Sequence, residues 1–393
     1  LHLSIRRQRQ MCIRDSPSAS CCSANRLPSD VNPLCGQCLN GYAEWSGTCN
    51  RCSKANGGLI FLLLCLGLVC LLLLERFTRR QHTGATVKIL ISLLQATHLL
   101  LGSEYASALA VAALLSFSPA ELSSHCLAPM SDLTHAMLPL LGVISLWVLL
   151  LVLLLFNGLH WCLLKRSQPF AMDPFIRVSI ALFLFSYVPM LNTAVRLSLC
   201  VDINGTNYLR LFPSVKCVLA SDYGIAVGIA WCVPLLVLCV LAWVVLSRQA
   251  VYRAFARSQQ ATDHTVRCEP QKANDAMSSR VWFLFWSYHG CRGANQSLHM
   301  LSASWELVIL FRSTVLVLCS SMIRNWRVRF AAMLLAVQPF VALHLIVQPF
   351  MTRNENWMET AAWLTFCCLS ALNSLEFPPP LSIVILSVST VSY

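Results

Sequence analysis

Eight apolar stretches, each long enough or nearly long enough to cross a bilayer, constrain this chain more than any motif in it. They lie near 59–74, 88–105, 135–157, 174–195, 223–246, 304–322, 329–348 and 358–375. The first, Leu59 to Leu74, contains no charge. A hydrocarbon core about 30 Å thick takes roughly 17–25 such residues as a helix. Hydrophobic residues make up 56% of the chain and charged residues only 12%, where a soluble domain carries about 25%. The pattern predicts an all-α polytopic membrane protein with eight complete transmembrane helices. After Pro378-Pro379-Pro380, the apolar run from Leu381 to Tyr393 reads as the start of a truncated ninth span.

The first residues are set apart. Arg6-Arg7-Gln8-Arg9-Gln10-Met11-Cys12-Ile13-Arg14-Asp15 is what the library-adapter codons CGT CGG CAG CGT CAG ATG TGT ATA AGA GAC encode. Residues 1–16 are therefore expected to be an artefact and are excluded from fold reasoning. Without them the charge falls from +12 to +9. Residues 17–57 then form a small cysteine-rich module, and 58–393 the multi-span domain.

Flanking charge sets the expected orientation, because basic residues beside spans prefer the cytosol. With the N-terminus outside, the inner segments hold 15 Lys and Arg and the outer segments nine. The run Glu75-Arg76-Phe77-Thr78-Arg79-Arg80 directly after the first span is the most decisive flank, while Arg324, Arg327 and Arg329 count against it. The positive balance then points to anionic lipid of the inner leaflet as electrostatic partner, and not to nucleic acid. Ala106 to Phe117 and Val281 to Tyr288 are apolar but too short to span, and suit the interface.

Cys35-Gly-Gln-Cys38 and Cys49-Asn-Arg-Cys52 form a C-x2-C-x10-C-x2-C module. Four thiolates at such spacing can hold zinc. They can equally staple a module too small to build a core. Placement in an oxidising space favours disulfides, with Cys21 and Cys22 nearby and the pairing open. Cys200 and Cys217 lie in the loop between the fourth and fifth stretches and are expected to be bonded; Cys126 is a further candidate. That loop carries the sequon Asn204-Gly205-Thr206, a glycosylation candidate. A second sequon, Asn295-Gln296-Ser297, falls in an expected inner loop and should stay bare.

Several short motifs then line up in order. The module C-x2-C-x2-G-Y…C-x2-C precedes the spans. Val87-Lys88-Ile89-Leu90 follows with Gln95, then the Cys-containing loop, then Ser304-Trp305-Glu306-Leu307-Val308 with Arg312. Pro349-Phe350 with Asn354 to Glu359 completes the series. Over residues 35–375 this resembles the transient-receptor-potential-like membrane proteins of protists and fungi. Many protist members carry an ephrin-receptor-like cysteine-rich ectodomain. The resemblance implies a cation-channel-like role with inorganic cations as partners. One departure is Ser313 after Arg312, where the family pattern has a basic pair.

Polar residues inside apolar stretches are the remaining site candidates, because ionisable groups in lipid need a partner or a water path. Gln95, His98 and Tyr105 share a helical face with Gly102. They could form a gating surface, or simply make interhelical hydrogen bonds. Arg312, with Glu306 one and a half turns before it, could snorkel to phosphates, pair with Glu306 or a neighbouring helix, or gate. Arg353, Asn356 and Glu359 cluster at a turn, where capping and loop solvation are the plain reading. Pro189, Pro234 and Pro339 would kink their spans.

No catalytic or cofactor-binding motif is present: no H-E-x-x-H, P-loop, G-x-S-x-G or G-x-G-x-x-G, and no TVGYG-type filter. The chain is not expected to be an enzyme or to hold a cofactor or metal. A cation-channel-like protein of the plasma membrane or an endomembrane, forming homo-oligomers, is the leading expectation. A seven-span receptor-like signalling protein and a small-molecule transporter are the alternatives.

Overall fold

The computed structural model describes residues 24–28, 38–45, 48–52, 54–79, 83–101, 128–163, 173–203, 205–210, 212, 214–236, 238–239, 242, 305–323, 325–350 and 352–374. Cys21, Cys22, Cys35, Tyr105, Cys126, Asn204, Asn295, the segments 106–117 and 281–288, the adapter-like residues and the run 381–393 lie outside the described residues.

In chain order the elements are β1 (Tyr42–Trp45), β2 (Thr48–Arg51), α1 (Gly57–Arg79), α2 (Thr83–Leu101), α3 (Asp132–Ala136), α4 (Leu138–Leu163) and α5 (Asp173–Ser198). After them come β3 (Cys200–Ile203) and β4 (Thr206–Leu209) and α6 (Asp222–Leu236). The last are α7 (Trp305–Met322), α8 (Trp326–Val347) and α9 (Arg353–Ser374). Two compact units emerge. The first holds Leu1–Leu68, Leu101–Ser145 and Pro189–Val233; the second holds Val69–Leu100, Leu146–Val188 and Pro234–Tyr393.

The first unit is built from short elements held by cross-links. β1 and β2 pair antiparallel, Tyr42 opposite Arg51 and Trp45 opposite Thr48. Gly41 leads into β1 at φ 83°, a conformation that suits a residue without Cβ. Cys38 and Cys49 are disulfide-bonded, closing the hairpin onto the preceding loop. Asn25 supports the same loop: its carbonyl accepts from Leu39 N–H at 2.9 Å, and its side-chain amide donates to the Cys49 carbonyl at 3.4 Å. A module this small has little apolar core, so covalent links replace burial.

β3 and β4 form the second hairpin, with Ile203 opposite Thr206. The two-residue connection reads Asn-Gly in sequence, the pair that best suits a primed turn. Gly205 sits at φ 79° and donates its N–H to Asp202 Oδ1 at 2.9 Å. Cys200 is bonded to Cys217. The segment after β4 folds back so that Leu209 N–H donates to the Val215 carbonyl at 2.8 Å. α6 then begins close to this loop. Tyr223 is buried and donates its hydroxyl to the Leu197 carbonyl at 2.6 Å.

Five helical segments among the described residues are long and apolar enough to cross a membrane: Gly57–Arg76, Leu138–Leu159, Val178–Ser198, Trp305–Met322 and Trp326–Val347. Eight complete spans were expected, and three of the eight stretches are not among these five. Within the described residues the second stretch gives the shorter apolar helix Lys88–Leu100 and the fifth the shorter apolar helix Asp222–Leu236. The eighth is a helix of 22 residues, but Arg353, Glu355 and Glu359 lower its apolar character. The third starts at Leu138 and not near 135. Ser131 caps the separate short helix α3 there, its hydroxyl accepting from Thr134 N–H. The fold is mostly helical, yet the two hairpins mean it is not purely α.

In the second unit, Ile89, Trp305, Phe350 and Ala362 form a buried cluster. Leu93, Val308, Ile309, Leu343, Val347 and Met358 pack against it. α8 ends at Gln348, left-handed at φ 42°, whose N–H donates to the His344 carbonyl at 2.8 Å. That cap turns the chain sharply into Pro349-Phe350 and α9.

Candidate functional site: a charged cluster among the helices of the second unit

Helical spacing brings the polar residues together. On α2, Lys88, Ser92 and Gln95 recur at steps of four and three and so share a face. On α7 the same rule aligns Glu306, Ile309, Leu310 and Ser313, with Arg312 at the edge of that stripe. On α9, Glu359 and Trp363 are one turn apart. These faces, with Leu184, Phe185 and Val188 of α5 and Phe350, line one cavity of about 50 Å³. That volume suits a few water molecules and is small for an organic ligand.

Two ion pairs cross it. Lys88 Nζ meets Glu306 Oε1 at 2.7 Å, the two side chains 10% and 5% exposed. Arg312 Nη1 meets Glu359 Oε1 at 2.9 Å, each only 2% exposed. Trp363 Nε1 donates to the same Glu359 oxygen at 3.1 Å. The Arg312 guanidinium also lies 3.7 Å from the Trp363 ring centroid, a cation–π arrangement. Gln95 Nε2 donates to the Phe185 carbonyl at 2.7 Å. Tyr187 and Thr314 share a hydroxyl hydrogen bond at 2.8 Å. Two cations face two carboxylates, so these four residues are neutral as a set. Each pair is needed because an uncompensated buried charge costs several kcal/mol.

A neutral corner lies beside this cluster, at the α8–α9 turn. Asn356 Oδ1 accepts from Phe350 N–H at 3.1 Å, and its amide donates to the Phe350 and Thr352 carbonyls at 2.9 and 3.0 Å. His344 Nε2 donates to the Asn356 carbonyl at 3.1 Å. The acceptor is a carbonyl, so Nε2 carries the hydrogen.

Gln95, Glu306, Arg312 and Glu359 were singled out from sequence, and all four line the cavity. His98 is buried on α2 but is not among the lining residues. Of the partners open to Arg312, the structure takes the neighbouring helix: it pairs with Glu359, while Glu306 goes to Lys88. At the start of α9 the capping is done by Thr352, whose hydroxyl accepts from Glu355 N–H at 3.2 Å while the Glu355 carboxylate accepts from Thr352 N–H at 3.4 Å; Asn356 lies inside the helix and ties it to the turn. Glu359 caps nothing, because α9 starts at Arg353 and carries Glu359 beyond its first turn into the interior. Reading it as loop-solvated is therefore corrected.

Lys88 and Trp363 were not recognised as site residues. Lys88 looked like a flanking charge, although its spacing of seven from Gln95 was visible. Trp363, four residues after Glu359, carried the same signal.

Among the cysteines, Cys38–Cys49 and Cys200–Cys217 are disulfides. Cys52 is also disulfide-bonded. Cys38, Cys49 and Cys52 thus take the disulfide alternative, since oxidised sulfurs are not thiolate ligands. Comparison with protein-family models, curated proteins and solved structures gives no match.

Proposed function

We propose that the protein is an integral membrane protein with a cation-channel-like role, and that the charged cluster of its second unit belongs to the part that gates or handles ions. The observation that carries this reading is the pair of buried salt bridges around a water-sized cavity, among helices of membrane length. A bundle needing only stability gains as much from apolar contacts, because buried ion pairs seldom outperform a hydrophobic replacement. Ionisable groups inside a membrane segment accordingly mark ion or proton paths and gates. The transient-receptor-potential-like resemblance points the same way, with inorganic cations and anionic lipid as partners and a homo-oligomer as the working form. No step of this reading requires an enzyme activity.

In this reading α2, α6 and α9 also lie in the membrane, completing eight spans, with the polar faces of α2 and α9 turned to the cluster. The N-terminal module and the Cys200–Cys217 loop face the outside or a lumen. Disulfides persist in such oxidising spaces, and Arg76 to Arg80 hold the other end of α1 at the cytosol. Asn204 then carries glycan, and Asn295 does not. The orientation is tested by expression in a glycosylating cell. A glycosidase-sensitive mass shift should vanish in Asn204→Gln and persist in Asn295→Gln; the reverse pattern inverts the topology.

The role itself is tested by reconstituting the chain in liposomes and recording cation flux. Flux above empty vesicles, changed in Arg312→Ala at matched protein content, supports the reading. Folded, inserted protein without flux rejects it in favour of the receptor-like or transporter alternatives.

A further inference from the structure

The helices of the second unit carry marks of where the membrane surface lies. α8 is 22 residues long, about 33 Å at 1.5 Å per residue, against a hydrocarbon core of about 30 Å. Trp326 stands at its start with the Arg327 guanidinium 5.4 Å from the ring centroid. Leu335 and Ile346 farther along it are 65% and 70% exposed. The far end of α8, where the chain turns into α9, therefore lies at the opposite surface from Trp326. α9 is built inside out. Asn356, Glu359, Thr360 and Ser370 are buried, while Arg353, Trp357, Leu364 and Cys368 are exposed. The exposed four recur at steps of four, seven and four and so share a face. From the turn onward that face presents a cation, an indole and then apolar side chains, the order met on passing from water through headgroups into acyl chains. The same turn gathers the charges. Trp305, the first residue of α7, lies against His344, their ring centroids 5.6 Å apart, and His344 bonds the Asn356 carbonyl. Glu306 is next in the chain, and Arg312 lies six residues beyond it, about 9 Å along the helix. No Asp, Glu, Lys or Arg follows Arg312 in α7, Arg329 in α8 or Glu359 in α9.

We infer that Arg353 and Trp357 contact phospholipid headgroups at one membrane surface, and that the whole charged cluster of Lys88, Glu306, Arg312 and Glu359 lies in that same leaflet and not at the midplane. The guanidinium meets phosphate through charge-assisted hydrogen bonds, and the indole sits at the boundary with the acyl chains. The inference rests on the membrane reading given above, in whose orientation this is the inner leaflet. Depth then follows from helix rise. Glu359 is two residues past Trp357, about 3 Å, where half of the core is about 15 Å. Arg312 shares the level of its partner Glu359. Glu306, with Lys88 on it, lies toward the turn. Helix tilt shortens the depth gained per residue, so these depths are upper bounds. The cluster is thus a device of one membrane surface, and α7, α8 and α9 cross the middle of the core without a charge.

Depth-dependent fluorescence quenching of the whole chain tests it, in vesicles of phosphatidylcholine with phosphatidylglycerol. A fluorescent amino acid excited beyond the tryptophan range replaces one exposed residue at a time: Trp357, Leu364, Leu335 in the middle of α8, or Phe311, which precedes Arg312 and is 62% exposed. Quenchers are iodide in the water and lipids bearing a nitroxide at the headgroup or deep in the acyl chain. The headgroup nitroxide should take most fluorescence from the Trp357 probe, and the deep nitroxide most from the Leu335 probe. The Leu364 probe should be deeper than Trp357, and the Phe311 probe shallower than Leu335. Arg353→Ala should lower headgroup quenching at Trp357, and Arg353→Lys should keep it; unchanged quenching in Arg353→Ala removes Arg353 from the contact. A Phe311 probe as deep as Leu335 places the cluster at the midplane and overturns the inference. So does a Leu364 probe that iodide reaches and lipid does not, or one that neither reaches, which would assign the face to a second copy of the chain. A chain that does not float with the vesicles overturns the membrane reading itself, whereas an inserted chain with the wrong depths overturns this inference alone. Ion flux is not read, so the channel reading is judged separately.

Discussion

The two units solve the same problem with different chemistry. The first is held by disulfides, two hairpins and side chains bonded to backbone: Cys38–Cys49, Cys200–Cys217, and Tyr223 on the Leu197 carbonyl. The second is held by helix packing around buried charge: Arg312 with Glu359, Lys88 with Glu306. Short, polar segments cannot bury enough surface to order themselves, so a covalent link that restricts the unfolded chain is the effective device. Long apolar helices face the opposite difficulty. Their packing is cheap and unspecific in lipid, and a few polar contacts then choose which helices meet. The contrast is testable because each device can be removed without touching the other.

The largest effect is expected at Glu359. Glu359→Ala strands the Arg312 guanidinium, and removing one partner of a buried pair costs about 3–5 kcal/mol. Glu359→Gln should cost less, because the amide oxygen can still accept from Trp363. Thermal unfolding in nanodiscs measures both, and exchange in the first unit should stay unchanged. If Glu359→Ala loosens the first unit as well, the two are held by one device and the comparison fails.

Next comes the Cys200–Cys217 bond, which closes a loop of sequence separation 17. On the chain-entropy model such a loop is worth about 3 kcal/mol. Cys217→Ser should accelerate exchange over 200–217 and leave α7–α9 alone. Equal acceleration in both units would contradict the division.

Gly224 sharpens the picture of the first unit. A Cβ there would sit 1.9 Å from the Leu219 carbonyl oxygen and 2.6 Å from its carbon. Backbone must move to admit it, at a cost of about 1–3 kcal/mol. On the same helix, Gly228 has nothing within 4 Å of such a Cβ, so Gly228→Ala should be neutral or gain up to about 1 kcal/mol in helix propensity. Comparing the two melting temperatures separates steric need from flexibility.

Legibility in the sequence followed the same divide. The apolar helices were plain because long runs without charge leave few alternatives in lipid. The polar candidates Gln95, Glu306, Arg312 and Glu359 stood out because they interrupt such runs. Which of them meet was not legible. Pairing depends on how four helices rotate against one another, and Arg312 with Glu306 looked as reasonable as Arg312 with a neighbouring helix. Of the eight stretches, five are apolar helices of membrane length among the described residues; α9 is long enough but carries Arg353, Glu355 and Glu359, and the described apolar part of α2, Lys88–Leu100, is shorter. The β3–β4 hairpin had a local signal in Asn-Gly, masked by its reading as a sequon. α3 had one in Ser131, masked by the apolar run that follows.

His135 supplies the smallest effect and the one specific to the first unit. It sits on α3, outside the segment Leu138–Leu159, with its ring edge-on to Phe212 at 5.2 Å between centroids. Asp132 on the same helix accepts from the Ser214 hydroxyl, so α3 and the disulfide-closed loop meet through both residues. Burial pulls the imidazole below its ordinary range, and the Asp132 carboxylate only partly opposes this. The sign follows directly. Above about pH 6.5 the histidine is neutral in folded and unfolded chains and contributes nothing to pH dependence. As pH falls below that value the unfolded chain takes up a proton that the folded one resists, so stability declines until the folded imidazole is itself protonated. Exchange over 128–137 and 205–217, corrected for intrinsic rates, should therefore rise between pH 7.5 and 5.5, with α7 to α9 as the internal reference. His135→Phe should flatten the rise by keeping the apolar contact with Phe212 and removing the titration. A rise that survives His135→Phe would assign the acid sensitivity to another group and remove this histidine from the account of what holds the first unit.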